Sequence, residues 1–169
     1  MNNNIILIGM PGSGKSTLGV ILAKAIAYRF IDTDLLISEQ SGKRLQALID
    51  SEGNERFLRL ENDIVKKLDT SRTVIATGGS VIYGKEAMEH LHSIGTVIYL
   101  SVGYDEIERR VSNFCARGIA MGNNSSLYDL YRERVELYEK EADITICYNG
   151  QGIEQTVMQI IERLGDKIK

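Results

Sequence analysis

Two short segments near the amino end hold residues whose types and spacing can do chemistry. Gly9-Met10-Pro11-Gly12-Ser13-Gly14-Lys15-Ser16 satisfies the pattern G-x-x-x-x-G-K-[ST] in full. Glycines let the backbone curl with its N–H groups inward, around a phosphate, in conformations that other residues adopt only under strain. A helix starting at Lys15 adds its positive end to the same point. Lys15 can bridge the terminal phosphates of a nucleotide, and Ser16 can hold Mg²⁺ through its hydroxyl. Gly12, Ser13, Gly14, Lys15, Ser16 and Thr17 are therefore the expected nucleotide contacts. The second segment is Asp32-Thr33-Asp34, at the end of a short apolar run. Residues i and i+2 of an extended chain face the same way, so both carboxylates can point at the region beside a terminal phosphate. Asp32 would then support the metal, and Asp34 would take a proton from an incoming hydroxyl. The alternative is that Asp34 merely caps the helix that follows.

The elements that must position these groups are legible as alternating patterns. Apolar, β-rich runs at Ile5–Ile8, Phe30–Asp32, Thr73–Ala76, Thr96–Leu100 and Ile144–Cys147 predict five strands. Between them, apolar residues at helical spacing predict helices at 15–27, 34–40, 45–49, 55–68, 85–92, 104–111, 127–141 and 153–164. Strands alternating with helices imply an α/β fold, a parallel sheet covered on both faces. In such a sheet a ligand lies beyond the carboxyl ends of the strands, where both segments fall. Residues 113–126 lose the periodicity and predict a long loop of the kind that closes over a site as a lid. Pro11 is the only proline, so helix ends must rely on glycines and polar caps.

Bulk properties narrow the function class. A chain of 169 residues suits one domain spanning 1–169. It leaves little room for the switch or coupling elements of GTPases and motor ATPases, and no N-K-x-D guanine reader occurs. A net charge of -3 with acids and bases interspersed argues against a nucleic-acid surface. No apolar run approaches the roughly 20 residues of a membrane span, and the start lacks the pattern of a signal peptide. Cys115 and Cys147 lack metal-ligand or redox spacing and read as free thiols of a reducing cytoplasm. His90 and His92, two apart on a helix, do not converge on a metal. The expected partner is a small molecule, and the simplest expected state is a monomer.

Beyond these segments the sequence resembles the shikimate kinase family over nearly its whole length. The resemblance rests on G-M-P-G-S-G-K-S-T, F-I-D-T-D, Glu52-Gly53 through Phe57 to Glu61, and Thr77-Gly78-Gly79. It continues with Arg110, Arg117 and Arg134-Val135-Glu136-Leu137-Tyr138. It implies a three-layer P-loop fold like that of nucleoside monophosphate kinases, with a five-stranded parallel sheet flanked by helices. It implies ATP and Mg²⁺ as cofactors, and transfer of a phosphoryl group to a hydroxyl of shikimate in aromatic amino acid biosynthesis. Acceptor-binding helices would span about 34–68. Asp32 would lie near the metal and Asp34 on the acceptor hydroxyl. Gly79 would touch substrate through its backbone, and Arg134 would meet the substrate carboxylate. Arg110 would stack on adenine, and Arg117 would reach the transferring phosphates from the lid.

The acceptor side departs from the family pattern. The family's F-R-x-x-E places an arginine on the shikimate carboxylate, and here Leu58 holds that position. Arg59 is the nearest substitute, about 100° further around the helix. Its long stem would have to curl back. Ser80 replaces a third glycine, Gly118 a lid proline, and Glu136 a proline after Arg134, with Glu136 expected to face solvent. These departures keep two rivals open: a kinase of a different small hydroxylated metabolite, and a nucleotide-binding protein without transfer activity.

Overall fold

The computed structural model describes residues 3–112, 119–120 and 126–168. Five strands form one sheet: β1 (Asn4–Ile8), β2 (Arg29–Asp32), β3 (Thr73–Ala76), β4 (Gly95–Ser101) and β5 (Ile144–Cys147). Their order is β2-β3-β1-β4-β5 and every pairing is parallel. All carboxyl ends therefore lie along one edge. The connection after β1 crosses to one side of the sheet, and the connection after β4 crosses to the other. A crevice opens at such a reversal, and the glycine-rich loop fills it.

Alternation along the strands builds two cores. Ile6, Ile8, Ile75, Val97 and Tyr99 face α5 (Lys85–Ile94) and α7 (Leu127–Glu141), packing on Met88, Leu91 and Tyr138. Ile5, Leu7, Val74, Ile98 and Ile146 face α1 (Lys15–Ala25) and α8 (Ile153–Leu164), packing on Leu22, Val157 and Ile160. The central strand β1 is buried on both faces, with Ile5 to Ile8 at most 1% exposed. That is why it reads as an uninterrupted apolar run. A third, smaller cluster of Ile37, Leu48, Phe57, Ile64 and Ala120 lies off the sheet. It joins α2 (Thr33–Ser41), α3 (Leu45–Glu52) and α4 (Asn54–Val65). One further helix, α6 (Tyr104–Ser112), follows β4.

The predicted strands and helices all form, with shifted ends. Helix α3 runs three residues longer than its pattern, and α4 ends at Val65 rather than 68. Two short 3₁₀ turns, Val81–Tyr83 and Gly165–Ile168, carry no periodicity long enough to foresee. With proline scarce, α2 ends at Gly42 in the left-handed region, and α7 begins at Ser126, whose hydroxyl accepts from the amide of Asp129. Of the lid, only Ile119, Ala120 and Ser126 fall within the described residues.

Candidate active site

The glycine-rich loop is held from behind by cations. Lys15, 7% exposed, donates its ammonium to the carbonyls of Gly9 at 2.7 Å and Met10 at 2.9 Å. Arg110 donates through Nη1 to the carbonyls of Gly12 at 3.1 Å and Ser13 at 3.3 Å. Gly14 takes φ +97°, which aims the chain into α1. Amides of the first helical turn have no carbonyl one turn earlier to pair with. Here Gly14, Lys15, Ser16 and Thr17 line a cavity of about 710 Å³. Of the contacts expected from the sequence, Gly12, Gly14, Lys15, Ser16 and Thr17 line this cavity, and Ser13 lines a second one.

The aspartate pair is arranged differently from the extended-strand expectation. Strand β2 ends at Asp32 and the chain turns helical at Thr33, so the two carboxylates do not share a strand face. Asp32, not Asp34, caps α2, accepting from the amide of Asp34 at 3.0 Å through Oδ1. Its Oδ2 accepts from Ser16 Oγ at 2.6 Å. A hydroxyl and a carboxylate converge at the mouth of the phosphate loop, an oxygen-only donor set of the type Mg²⁺ prefers. Asp34 lies in the first turn of α2 and lines the same cavity as Lys15.

Gly78 fixes where Asp34 stands. Its amide donates to Oγ1 of the fully buried Thr33 at 3.1 Å, tying the turn after β3 to the start of α2. A side chain at position 78 would collide with the carboxylates of both Asp34 and Glu61. At Gly79 a Cβ would lie 2.7 Å from Pro11 Cδ and 3.1 Å from Arg134 Nη1. The Gly79 carbonyl already accepts from Tyr138.

Arg134 is 1% exposed and lines the same cavity. It donates from Nη2 to the carbonyl of Ala120 at 2.6 Å and from Nε to the Tyr83 hydroxyl at 3.3 Å. Glu61, 2% exposed, accepts from Ser80 Oγ at 2.6 Å through Oε2. Burial pushes the Glu61 carboxyl up to about 7, and the charge of Asp34 pushes the same way. The Ser80 bond, Arg134 and Lys15 pull against that rise. Ser80, a departure from the family pattern, thus answers a buried carboxyl.

Arg110 also donates to Glu106 at 2.7 Å, and its guanidinium lies 4.7 Å above the Tyr148 ring. Hydrogen bonds from Arg109 and Arg110 hold Glu106 down at about 2. A second cavity of about 310 Å³ opens beside Arg110, between α1 and α8, with Leu18, Tyr148 and Ile153 among its walls.

Two expected acceptor contacts do not reach the cavity. Leu58 is half-buried and packs on the third apolar cluster. Arg59 points outward and pairs with Glu55 at 3.0 Å, its side chain 71% exposed. The cause is helical geometry: Phe57 and Glu61 take the inward face of α4, and position 59 falls outside it. Arg117 lies outside the described residues, as does Cys115. Glu136 faces solvent. His90 contacts the Leu68 carbonyl and His92 contacts Glu141.

Sequence reasoning gives no role to Arg44, Ser38 or Glu61. Arg44 and Ser38 line the cavity without any local signal that marks them. Glu61 has one: it is an acid on the apolar stripe Phe57, Ile64, Val65 of α4.

The sequence model of the shikimate kinase family matches residues 11–165. The shikimate kinase of Clostridium botulinum (strain Okra / Type B1) is 39% identical over 163 residues, 94% of each chain. That of Synechococcus sp. (strain RCC307) is 34% identical over 170 residues, covering 98% of this chain and 86% of the relative. Among solved structures, a shikimate kinase from Acinetobacter baumannii in complex with shikimate superposes with a TM-score of 0.89 at 29% identity. It covers 99% of this chain and 96% of its own. Matched by that family model and by these relatives over nearly its whole length, this chain belongs to the shikimate kinase family.

Proposed function

We propose that this kinase moves the γ-phosphoryl group of ATP onto a hydroxyl of shikimate, with Asp34 as the group that holds the hydroxyl and accepts its proton. One observation carries the reading: a single cavity is lined by the phosphate loop, by Asp34 and by the buried cation Arg134. Shikimate is a small carboxylate bearing hydroxyls, so it needs an acidic group at one end and a cationic one at the other. Asp34 draws the proton as the hydroxyl oxygen attacks the γ-phosphorus, and ADP leaves with the electrons of the broken P–O bond. Lys15 neutralises charge on the transferring group, a task that the family resemblance also implies for Arg117.

Ser16 and Asp32 would hold Mg²⁺, whose charge offsets that of the phosphate oxygens. The adenine would occupy the cavity lined by Arg110 and Tyr148. An enzyme fed by ATP and a soluble metabolite works in the cytoplasm, and the chain acts as a monomer. Among the described residues no helix is long and apolar enough to cross a membrane.

The test is product formation from ATP and shikimate by the native chain and by Asp34→Asn. Shikimate should become a monophosphate with stoichiometric ADP. The substitution should lower kcat about 100-fold or more while KM for ATP stays within about threefold. Turnover of gluconate or another polyol with none of shikimate would transfer the reading to a different hydroxylated metabolite. An equal loss in kcat and ATP affinity would place Asp34 on the nucleotide.

A further inference from the structure

An anionic acceptor meets an unusual balance of charge in this cavity. Asp34 lines it, and a second acid, Glu61, lies buried beside Gly78. Arg134 opposes them, but two of its five N–H donors are committed to Tyr83 and Ala120. The family's second arginine is Leu58, which packs on apolar neighbours. The basic residues around it are tied to acids on the outer surface: Lys43 to Glu52 at 2.9 Å, Arg56 to Glu52 at 3.6 Å and Arg59 to Glu55 at 3.0 Å.

Arg44 is the exception. It sits immediately before α3, with extended backbone at φ -67° and ψ 147°, and its side chain makes no capping bond. It forms no ion pair with any described residue, and it lines the cavity together with Leu45, Gln46, Ser38 and Phe57. Ser38 lies one turn beyond Asp34 on α2, and Arg44 lines the same cavity as both. We propose that Arg44 binds the carboxylate of the acceptor as the second cation beside Arg134, doing from the start of α3 what the family's arginine does from α4. This assignment rests on the shikimate reading above. A guanidinium suits the task because its planar fork matches a carboxylate. Being solvated in the free protein, it makes a contact formed equally in ground and transition states, which acts on KM rather than kcat.

The test is steady-state kinetics of the native chain, Arg44→Ala and Arg44→Lys with shikimate and with its methyl ester. Arg44→Ala should raise KM for shikimate about 10- to 100-fold. Its kcat should stay within about threefold and its KM for ATP within about twofold. Arg44→Lys should recover part of the loss. On the methyl ester, which has no negative charge to bind, the alanine penalty should shrink below about threefold. A native chain that turns over shikimate while Arg44→Ala keeps KM within about threefold overturns the Arg44 assignment alone. So does an equal penalty on acid and ester. A native chain that does not turn over shikimate overturns both readings together.

Discussion

At the phosphate end of the cavity the motif lysine is answered from within a few residues, and Arg110 and Asp32 reach the same loop from farther along the chain. At the acceptor end the partners are far apart in the chain. Lys15 reaches carbonyls five and six residues away. Gly78 is bonded to Thr33 across 45 positions, and Gly79 to Tyr138 across 59. A site assembled locally tolerates little change, because each residue type is dictated by its neighbours. A site assembled from several elements can lose one contributor and gain another, since any element bordering the cavity can supply a donor. Leu58, Ser80 and Arg44 all fall at that second end.

The largest effect should come from the locally built end. Lys15→Ala removes the ammonium buried against the loop, and it should lower kcat by about 10³-fold. The loop's own amides should keep ATP affinity within about tenfold. Rapid-mix turnover and nucleotide binding measure the two separately. A kcat within about tenfold of native would break the comparison at its firmer end.

The same contrast governs what the sequence discloses. The phosphate loop is a contiguous pattern, so the order of residue types alone points to Gly12 to Thr17, while its tertiary support from Arg110 shows only in the fold. The five strands are legible because burial on both faces leaves uninterrupted apolar runs such as Ile5 to Ile8. Asp32 and Asp34 stand out as a pair, but extended spacing gives them the wrong local geometry, because the strand yields to helix at Thr33. Arg44 is invisible in the sequence. Nothing nearby in the chain distinguishes it from Lys43 or Arg56, and only the folding of α3 against α2 and α4 puts it on the wall. Arg59 errs the other way: proximity in sequence to the altered position suggests a role that helix rotation denies. Ser80 shows as a departure from the family pattern, but its hydrogen bond to Glu61 depends on the meeting of β3's turn with α4.

An intermediate effect falls on stability. Glu61 has its folded value raised to about 7 from an ordinary 4.5. Between those values the folded chain binds more protons at Glu61 than the unfolded chain, so the contribution of Glu61 is fully present below about pH 4.5 and is lost as pH rises through about 7. The swing is roughly 3 kcal/mol at most, and less if the buried carboxyl relaxes. Glu52, Asp63, Glu86 and Glu106 are shifted downward, so their contributions are lost only as pH falls below about 4.5. The window between is left largely to Glu61. Urea midpoints at about pH 5 and about pH 7.5 should differ in the native chain, with the lower pH more stable. Glu61→Gln should flatten that difference while retaining an acceptor for Ser80. An unchanged slope in the variant would mean that the acceptor end does not store this cost in Glu61.

The smallest effect is also the sharpest discriminator between α3 and α4 as the source of the second cation. Arg59 neighbours the altered position in sequence, carries the right charge and has a stem long enough to invite the role. Its guanidinium is nevertheless paired with Glu55 on a face turned from the cavity. Freeing it would require breaking that pair and rotating the side chain about 100° around the helix, whereas Arg44 needs neither step. Arg59→Ala should therefore leave kcat and KM for shikimate within about twofold of native, measured in the same assay in which Arg44→Ala is read. A rise in KM of about fivefold or more would show that binding draws Arg59 inward. The clamp would then have stayed on α4, one position along, and the acceptor end would be far closer to the family pattern than its free structure indicates.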